Sequence, residues 1–484
     1  MEALLSRLQG LGPAIAKICE VSGTPGVSIG VLHQGVGVLV NEGKLSWENK
    51  LTDILPDFKQ TDSETQEKTT IVDFMSNRTG LASQVQFWMQ EFGRMSLAQD
   101  ETLPLIAKLP QVCDFRTNFL YQNWGFSLAA ILIQRLSGLT WGQFLGTHIF
   151  EPLGMTRTTT QRNSGFENAA KGYVALEDAG VQTTVHDLLT LYKHILESSK
   201  DQFERNTTTT GGSPLKELAT ILAPHITVPG YSVGEQAYGL GFTITDLPGT
   251  LGATGINGMY TSEMPVVGRG LSGKKRVWYH NGSLAAFLSC IHILPETNSA
   301  IVVLTNSIAK NDAADWLAQL ILEAFIDNPE KNNYELIAKE SADGLVNKWH
   351  AMTKQLSDDR VANTTPRALS KYIGKYYNDA KNWLLDIYLQ DGDLWMCMQG
   401  TRAESYKLAH YNYDTFSWTL TWDESARRGR FRNPTADYYL LRFQMSDDGA
   451  WGLKWTIDND IPEGQVFLRE GAKGTTDGQK VLVA

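Results

Sequence analysis

Apolar residues recur at helical spacing near the N-terminus, where they occupy Leu4, Leu8, Leu11, Ile15 and Ile18. This spacing predicts an amphipathic helix, and the charged residues between these positions distinguish it from the uninterrupted apolar segment of a signal peptide. A short β-rich apolar run at residues 26–32 then predicts a buried strand that meets a turn at Gln34 and Gly35.

Three further helices are predicted from the same spacing and from residues that favour helix ends. The first begins at Trp124 and ends near Gly138. The second is capped by Thr140 and runs to Phe150, and the third is capped by Thr184. These helices form a mainly helical region before the β-rich part of the chain.

The period of the apolar residues changes to that of strands between residues 277 and 306. The runs 277–279, 287–294 and 300–305 are separated by Asn-Gly and Pro-Glu-Thr-Asn turn signals, which together predict an antiparallel sheet. The pattern returns to helix at residues 312–326. Two end helices around an antiparallel sheet, with a helical insertion, predict an α+β domain.

The composition changes again in the last part of the chain, which is rich in tryptophan. Six of the 13 tryptophans lie there, at Trp383, Trp395, Trp418, Trp422, Trp451 and Trp455. Short β-rich runs alternate with Asp-Gly turn signals, and this pattern predicts a small all-β barrel or sandwich. The runs lie at residues 383–389, 394–398, 416–422 and 438–443, and the turns at Asp391-Gly-Asp393 and Asp447-Asp-Gly449. We therefore predict an α+β domain at residues 1–350, a linker at 351–368 and an all-β domain at 369–484.

The composition as a whole is that of a folded globular protein, because 42% of the 484 residues are apolar and 20% are charged. The net charge is −10, and no long basic run offers a surface for phosphates, so we expect no nucleic-acid partner. The sequence contains no run of 18 apolar residues, so it predicts no membrane span. We expect a cytoplasmic protein whose partner is a small molecule and not a membrane; the sequence does not indicate an oligomeric state.

Sequence signals for metals and cofactors are absent. The four cysteines, Cys19, Cys113, Cys290 and Cys397, have no paired spacing, which favours reduced thiols over a zinc knuckle or a disulfide framework. The nine histidines include no His-x-x-x-His or His-Glu-x-x-His spacing, and no glycine-rich loop of the dinucleotide or Walker type occurs. We therefore expect neither a metal nor a cofactor.

One short motif places two polar side chains at the entrance of a predicted helix. Tyr121-Gln-Asn123 immediately precedes the helix that begins at Trp124. A phenol and an amide two residues apart can reach the same cleft, where Tyr121 would carry a proton and Asn123 would anchor a substrate amide. The same residues also fit a purely structural helix entrance.

Several other segments accompany this motif in a fixed order. They are Met75-Ser-Asn-Arg-Thr-Gly-Leu81, Leu136-Ser-Gly138, Phe150-Glu-Pro-Leu-Gly-Met-Thr156, the Gly-rich helix entry at residues 180–188, and Tyr238-Gly-Leu-Gly-Phe242. Together with residues 121–128 they resemble the serine β-lactamase and penicillin-binding-protein-like family, which includes class C β-lactamases and fungal acyl transferases. The resemblance covers roughly residues 14–325, and it implies the β-lactamase/transpeptidase-like fold.

His280-Asn-Gly282 occupies the place where this family has Lys-Thr-Gly or His-x-Gly on the strand beside the cleft. His280 can be neutral or charged near pH 7, Gly282 lets a substrate approach the backbone, and the amide of Ser283 can point at a developing oxyanion. A hairpin turn is the alternative for Asn-Gly. The resemblance thus implies Tyr121 and His280 as catalytic residues, and Asn123, Gly282 and Ser283 as substrate-binding residues.

The chain departs from the family at the nucleophile. Members attack a carbonyl with the serine of a Ser-x-x-Lys motif at the start of a helix, where the lysine accepts the hydroxyl proton. Here residues 26–35 resemble the first strand, and residues 36–47 already resemble the end of the nucleophile helix and the segment after it. The segment that carries the motif is therefore missing near residues 35–37.

Three other segments have the Ser-x-x-Lys spacing, but none stands where the order of the fold requires it. They are Ser213-Pro-Leu-Lys216, Ser272-Gly-Lys-Lys275 and Ser307-Ile-Ala-Lys310. Serine and lysine are common residues, so we interpret these matches as accidental.

The resemblance implies a hydrolase or acyl transferase for esters, amides or lactams, in the manner of fungal members that carry a C-terminal β-domain and serve small-metabolite biosynthesis. Three explanations of the missing segment stay open. The sequence is an incorrectly spliced or truncated form of an active enzyme, a degenerate scaffold that only binds, or an acid–base isomerase or cyclase that uses Tyr121 and His280. The loss also removes two strands, which leaves a sheet edge that the protein must cover.

Overall fold

The computed structural model describes residues 2–24, 34–88, 90–91, 94, 96–160, 182–229, 236–284, 286–307, 309–430 and 432–472. The helices are α1 (Glu2–Gln9), α2 (Gly12–Ser22), α3 (Gln34–Asn41), α4 (Leu51–Ile54), α5 (Ser63–Lys68), α6 (Ile71–Met75), α7 (Thr102–Ile106), α8 (Trp124–Ser137), α9 (Trp141–Leu145), α10 (Val185–Arg205), α11 (Leu218–Ile221), α12 (Ala313–Phe325), α13 (Tyr334–Asp358) and α14 (Trp422–Arg427). The strands are β1 (Ile226–Val228), β2 (Gln236–Tyr238), β3 (Thr243–Leu247), β4 (Gly249–Thr250), β5 (Val266–Val267), β6 (Lys275–Leu284), β7 (Phe287–Leu294), β8 (Ser299–Thr305), β9 (Gly374–Tyr377), β10 (Leu384–Gln390), β11 (Asp393–Met398), β12 (Ser405–Asn412), β13 (Thr415–Ser417), β14 (Leu440–Met445), β15 (Ala450–Trp455) and β16 (Gln465–Arg469).

An antiparallel sheet with the strand order β1-β2-β3-β6-β7-β8 organises the first part of the described chain. Successive side chains along a strand point to opposite faces of the sheet, so they join two different core clusters. Leu288 and Leu294 of β7 pack with apolar residues of α12, whereas Ile291 and Ile293 join the cluster that contains the apolar face of α10. The sheet therefore has helices on both faces, which confirms the predicted α+β class.

The predicted helix ends are confirmed. Gly138 ends α8 in the left-handed region with φ 74°, and Thr140 forms a capping box with Gln143 at the start of α9. A π-helical turn, Gly146–Phe150, continues α9 to the predicted end. Thr184 accepts a hydrogen bond from the Asp187 backbone N–H at the start of α10.

The N-terminal segment differs from the prediction in two ways. Instead of one helix there are two, because α1 ends at Gln9 and α2 begins at Gly12 with a proline in its first turn. The predicted turn at Gln34 and Gly35 is wrong, since both residues belong to α3, which packs against α8. The strand predicted at residues 26–32 lies outside the described residues.

The hairpin turn considered for Asn281 and Gly282 is also wrong. These residues lie inside β6, where Asn281 pairs with Cys290 and Gly282 with Ser289. The chain reverses a few residues later, close to Ala286, which has φ 72°. Long pairing with β7 overrides the local turn preference of Asn-Gly.

The C-terminal part forms a closed antiparallel barrel with the strand order β10-β11-β12-β13-β14-β15-β16-β9. Its interior contains many buried aromatic side chains, including Trp383, Trp418 and Trp455. The predicted turn at Asp391-Gly-Asp393 is confirmed, because Asp391 and Gly392 have φ 54° and 83°, as a type I′ hairpin needs. The barrel is one of the two predicted all-β forms, and closure leaves no unpaired edge.

The domain limits stay a prediction. The helix α13 continues to Asp358, inside the segment predicted as a linker at residues 351–368. The run at residues 416–422, predicted to be a strand, is strand only over Thr415–Ser417, because Thr421 and Glu424 form a capping box that starts α14. None of the helices described here is both long and apolar enough to cross a membrane.

A buried ionic group joins the barrel to the segment after α6. The Glu91 carboxylate accepts hydrogen bonds from the Tyr406 hydroxyl and, at 2.7 Å, from Arg428 Nη1. Arg94 donates to Glu404 Oε1 at 2.6 Å. Charged groups that are buried between two parts of a protein require partners of opposite charge, and here each part supplies partners to the other.

Candidate functional site

Tyr121 lies in the loop that leads into α8, and the loop after α6 holds the residues on either side of it. The Leu120 N–H donates to the Asn77 backbone O at 2.8 Å, and the Gln122 N–H donates to Asn77 Oδ1 at 3.0 Å. Asn77 is 0% exposed and has φ 59°, a left-handed conformation that asparagine tolerates better than most residues. Asn77 is therefore the residue that positions Tyr121.

His280 lies on β6, and each of its ring nitrogens has a partner. The Asn281 backbone O is 2.5 Å from Nδ1, and the Tyr238 hydroxyl is 3.0 Å from Nε2. A carbonyl oxygen can only accept, so Nδ1 carries the proton and Nε2 accepts from the tyrosine. These contacts hold His280 in one neutral tautomer.

The structure brings the two predicted catalytic residues together. The ring centroids of Tyr121 and His280 are 5.9 Å apart, and the Tyr238 ring lies 6.5 Å from that of Tyr121. Tyr238 is fully buried, whereas Tyr121 and His280 are partly exposed. We call Tyr121, Tyr238 and His280 the tyrosine–histidine cluster.

Burial keeps all three side chains of the cluster uncharged at neutral pH. It raises the pKa of Tyr121 to about 12. Burial and the neighbouring Tyr121 raise the pKa of Tyr238 well above its usual value. Burial lowers the pKa of His280 to about 4, although the Asn281 carbonyl opposes this effect. The Tyr121 ring contacts Tyr238 and His280, and its hydroxyl makes no hydrogen bond to a described residue.

The predicted substrate-binding residues lie next to the cluster in the chain, and their roles stay predictions. Asn123 precedes α8 without capping it with its side chain, and the residue is half-buried. Ser283 is also half-buried and pairs with Leu288. Gly282 has a structural reason to be glycine, because a Cβ there would lie 2.2 Å from Ser289 Oγ.

Two residues of the site have no role assigned from the sequence. Tyr238 belongs to a segment that resembles a strand beside the cleft, and Asn77 belongs to another family-like segment. No local pattern could identify them, because Tyr238 meets His280 across 42 positions of the chain and Asn77 meets Gln122 across 45. The matching family segments are the only available signal.

The helix α3, which begins near the position of the missing segment, packs against α8. Its eight residues, Gln-Gly-Val-Gly-Val-Leu-Val-Asn, include neither serine nor lysine. Val36 and Leu39 are buried, and a Cβ at Gly37 would lie 2.8 Å from the Lys216 backbone O. This helix serves packing and supplies no nucleophile.

The accidental Ser-x-x-Lys matches have structural contacts of their own. Ser213 Oγ accepts from Ser198 Oγ at 2.8 Å, and Lys216 Nζ donates to the Ser213 backbone O at 2.7 Å, not to its hydroxyl. Ser307 Oγ lies 3.4 Å from Thr24 Oγ1. Ser272 is exposed in the segment before β6. The serine–lysine proton transfer of the family requires a hydroxyl–ammonium contact, which the Ser213 motif lacks.

Comparison with known families agrees with the fold. A family model described as Beta-lactamase matches residues 25–324, and one described as Domain of unknown function (DUF3471) matches residues 358–467. The first match covers more than half of the chain. The second includes most of the barrel strands.

Individual relatives match over shorter segments. Penicillin-binding protein 4 of Amycolatopsis lactamdurans is 25% identical over 155 residues, which are 27% of this chain and 40% of that protein. An unguisins hydrolase of Aspergillus violaceofuscus is 32% identical over 112 residues, 22% of this chain and 19% of that protein. The chain thus spans well under half the length of these curated relatives. The structure of an octameric penicillin-binding protein homologue from Pyrococcus abyssi aligns with a TM-score of 0.48 and 17% identity, over 95% of this chain and 99% of that one.

Proposed function

Because this chain belongs to the β-lactamase family, whose relatives here include hydrolases, we propose that its tyrosine–histidine cluster binds a small neutral ester, amide or lactam. The observation that carries the proposal is the contact between the Tyr238 hydroxyl and His280 Nε2 at 3.0 Å, with the Tyr121 ring 5.9 Å from His280. This arrangement leaves the Tyr121 hydroxyl free to donate to a carbonyl oxygen.

The charge of the cluster favours a neutral ligand. At pH 7 the pKa values of Tyr121 and His280, about 12 and about 4, leave both side chains uncharged. An ionic ligand group would lose its hydration there without gaining an opposite charge from either side chain. A carbonyl group needs only hydrogen-bond donors, and Asn123 adds an amide beside Tyr121.

The proposal includes the absence of an acyl-enzyme. The residues of α3 offer no serine or lysine, and the Lys216 ammonium contacts a backbone carbonyl. Covalent catalysis of the family type needs an activated hydroxyl within reach of a base. Binding to this chain is therefore non-covalent.

A direct test combines two measurements on the full chain. Ligand-observed NMR with a neutral short-chain ester and with an uncharged lactam should show binding that weakens in Tyr121→Phe. Intact-mass spectrometry after incubation with penicillin or a fluorophosphonate should show no adduct. A stoichiometric adduct on Ser213, Ser272 or Ser307 would contradict the non-covalent proposal, and equal binding by Tyr121→Phe would contradict the assigned site.

A second candidate is an acid–base reaction by Tyr121 and His280, which the 5.9 Å separation of their ring centroids favours. Proton transfer by positioned side chains contributes roughly 10²- to 10⁴-fold to a rate. Such a rate suits isomerisation or cyclisation of a molecule with an acidic C–H or a labile ring. Turnover of such a substrate should disappear in His280→Asn; turnover at an unchanged rate would exclude this candidate.

A further inference from the structure

A second set of polar side chains is buried on the sheet face opposite His280. Cys290 and His292 lie two residues apart on β7, so both point to the same face, which α12 covers. Asp315 belongs to the first turn of α12 and contacts Cys290 from the other side. The residues Cys290, His292 and Asp315 are each 0% exposed.

The distances among these side chains match those of a metal site. Cys290 Sγ is 3.3 Å from His292 Nε2 and 3.8 Å from Asp315 Oδ1, and one ligand atom from each residue lies within 4.8 Å of the others. Tetrahedral zinc with bonds of about 2.3 Å to sulfur and about 2.0–2.1 Å to nitrogen and oxygen separates such ligand atoms by about 3.5 Å. The observed sulfur distances lie on either side of that value.

The charges around Asp315 also call for a cation. Asp312 and Asp315 are 1% and 0% exposed, and no Lys or Arg forms an ion pair with either among the described residues. Their side-chain partners are neutral: Asn257 Nδ2 and Gln319 Nε2 each donate to Asp315 at 3.0 Å. An uncompensated buried carboxylate is costly. A divalent cation would remove that cost.

We propose that Cys290, His292 and Asp315 bind one Zn²⁺ ion that ties β7 to the start of α12. A set of one thiolate, one imidazole and one carboxylate selects zinc over magnesium or calcium, which prefer oxygen alone. Binding releases the Cys290 thiol proton to solvent as the S–Zn bond forms. Gln319 contacts this site through Nε2, which donates to Asp315 Oδ1, and its buried side-chain carbonyl oxygen makes no hydrogen bond in the described structure.

The role of this ion is structural. The three ligands are fully buried, so no substrate reaches them. Cys290 pairs directly with Asn281 of β6, and the Asn281 backbone O accepts a hydrogen bond from His280 Nδ1. By fixing β7 to α12, the ion therefore supports β6, the strand that carries His280, and takes no part in the chemistry of His280. This proposed site differs from the sequence-based expectation of no metal, because that expectation depended only on local ligand spacings.

A metal-free hydrogen-bond network is the competing arrangement. In that network the Cys290 thiol donates to Asp315 Oδ1 at 3.8 Å, and Sγ can accept from His292 Nε2 at 3.3 Å in the tautomer that is protonated there. Thiols are also weak donors, so this network stabilises the buried Asp315 carboxylate less than a positive countercharge would. The two arrangements differ in metal content, and that quantity can be measured directly.

The test uses the full chain, purified without a histidine tag and refolded in the presence of Zn²⁺. After dialysis, elemental analysis should find about one zinc per chain. Refolding with Co²⁺ instead should produce a thiolate-to-cobalt charge-transfer band and the visible bands of tetrahedral cobalt. A folded chain that retains no zinc and shows no thiolate band would overturn the proposal.

Two cysteine variants give a matched comparison. Cys290 and Cys397 are both 0% exposed, but Cys397 lies on β11 of the barrel. Cys290→Ser should lose the zinc and the cobalt thiolate band, and Cys397→Ser should keep both. If Cys290→Ser does not fold, the milder His292→Gln replaces it, and retention of full zinc by either folded ligand variant would assign the metal elsewhere and refute the site.

Discussion

His280 and His292 lie on neighbouring strands of one sheet and yet have opposite surroundings. His280 faces two tyrosines, and its Nε2 accepts from Tyr238 at 3.0 Å. His292 faces a thiol and a carboxylate on the other side, with its Nε2 3.3 Å from Cys290 Sγ. Burial lowers the pKa of His280 to about 4 and that of His292 to about 3, so both rings are neutral at pH 7. The neighbours, and not the protonation state, distinguish the side chain proposed to bind a ligand from the one proposed to bind zinc.

The face that holds His292 should be the more sensitive of the two to loss of one polar side chain. Asn257 is 0% exposed, donates to Asp315 Oδ2 at 3.0 Å and accepts from the Asp312 N–H at 2.8 Å. Asn257→Ala leaves the Asp312 N–H without its side-chain acceptor and removes one of the two amide donors to Asp315, so we expect a loss of about 2–4 kcal/mol in unfolding free energy. Urea denaturation measures it.

Asn123, on the side of the cluster, is the matched control for Asn257. It is half-buried and caps no helix with its side chain, so Asn123→Ala should change the free energy of unfolding by less than about 0.5 kcal/mol. Equal effects of the two substitutions would remove the distinction between the faces.

The pH dependence of stability should come in part from His280. Its pKa is about 4 in the folded chain, below the usual 6.5, so between these values the unfolded chain binds more protons. Stability is therefore complete above about pH 6.5 and falls as the pH drops towards 4. His280→Asn should make this part of the profile flatter in urea denaturation at several pH values.

Other histidines form a constant background in that experiment. His225 also has a pKa lowered by burial, and it contributes equally to both proteins. Subtracting the profile of His280→Asn from that of the unmodified chain isolates His280. Identical profiles would mean that its ring is not held neutral as the structure indicates.

Substitutions of the buried tyrosines Tyr238 and Tyr279 should have similar effects on stability and different effects on His280. Tyr238→Phe loses the hydrogen bond to His280 Nε2, and Tyr279→Phe loses the one to Gln236 Oε1 at 2.8 Å. Each should cost about 0.5–1.5 kcal/mol in unfolding free energy. Only Tyr238→Phe should change the titration of the His280 ring, which NMR can follow. A shift of that titration in Tyr279→Phe would contradict the expectation that only Tyr238 affects the His280 ring.

Tyr121→Phe should have the smallest effect on stability and a selective effect on binding. The Tyr121 hydroxyl makes no hydrogen bond to a described residue, so we expect a stability change below about 0.5 kcal/mol. A lost hydrogen bond to the ligand should weaken the affinity by about tenfold. Thermal unfolding and ligand-observed NMR check both values. A large loss of stability would instead indicate a packing role at the helix entrance.

Sequence patterns predicted the elements whose signals are local. Thr140, Gly138 and Thr184 are at the expected helix ends, because capping depends on hydrogen bonds within one turn. The pattern failed at Gln34 and at Asn281, where a helix contact and a long strand pairing prevail over local turn preference. Local signals describe an element well until tertiary contacts compete with them.

The amino-acid sequence by itself determined the α+β class, the all-β C-terminal module, and the presence of Tyr121 and His280 in family-like motifs, since each depends on short-range order or on matching segments. Only the tertiary structure decided that Tyr238 bonds to His280, that Asn77 holds the residues around Tyr121, and that Asp315 meets Cys290. These contacts join residues at least 25 positions apart. They depend on which strand faces lie against which helices, a choice that burial of the whole core makes and no local spacing records.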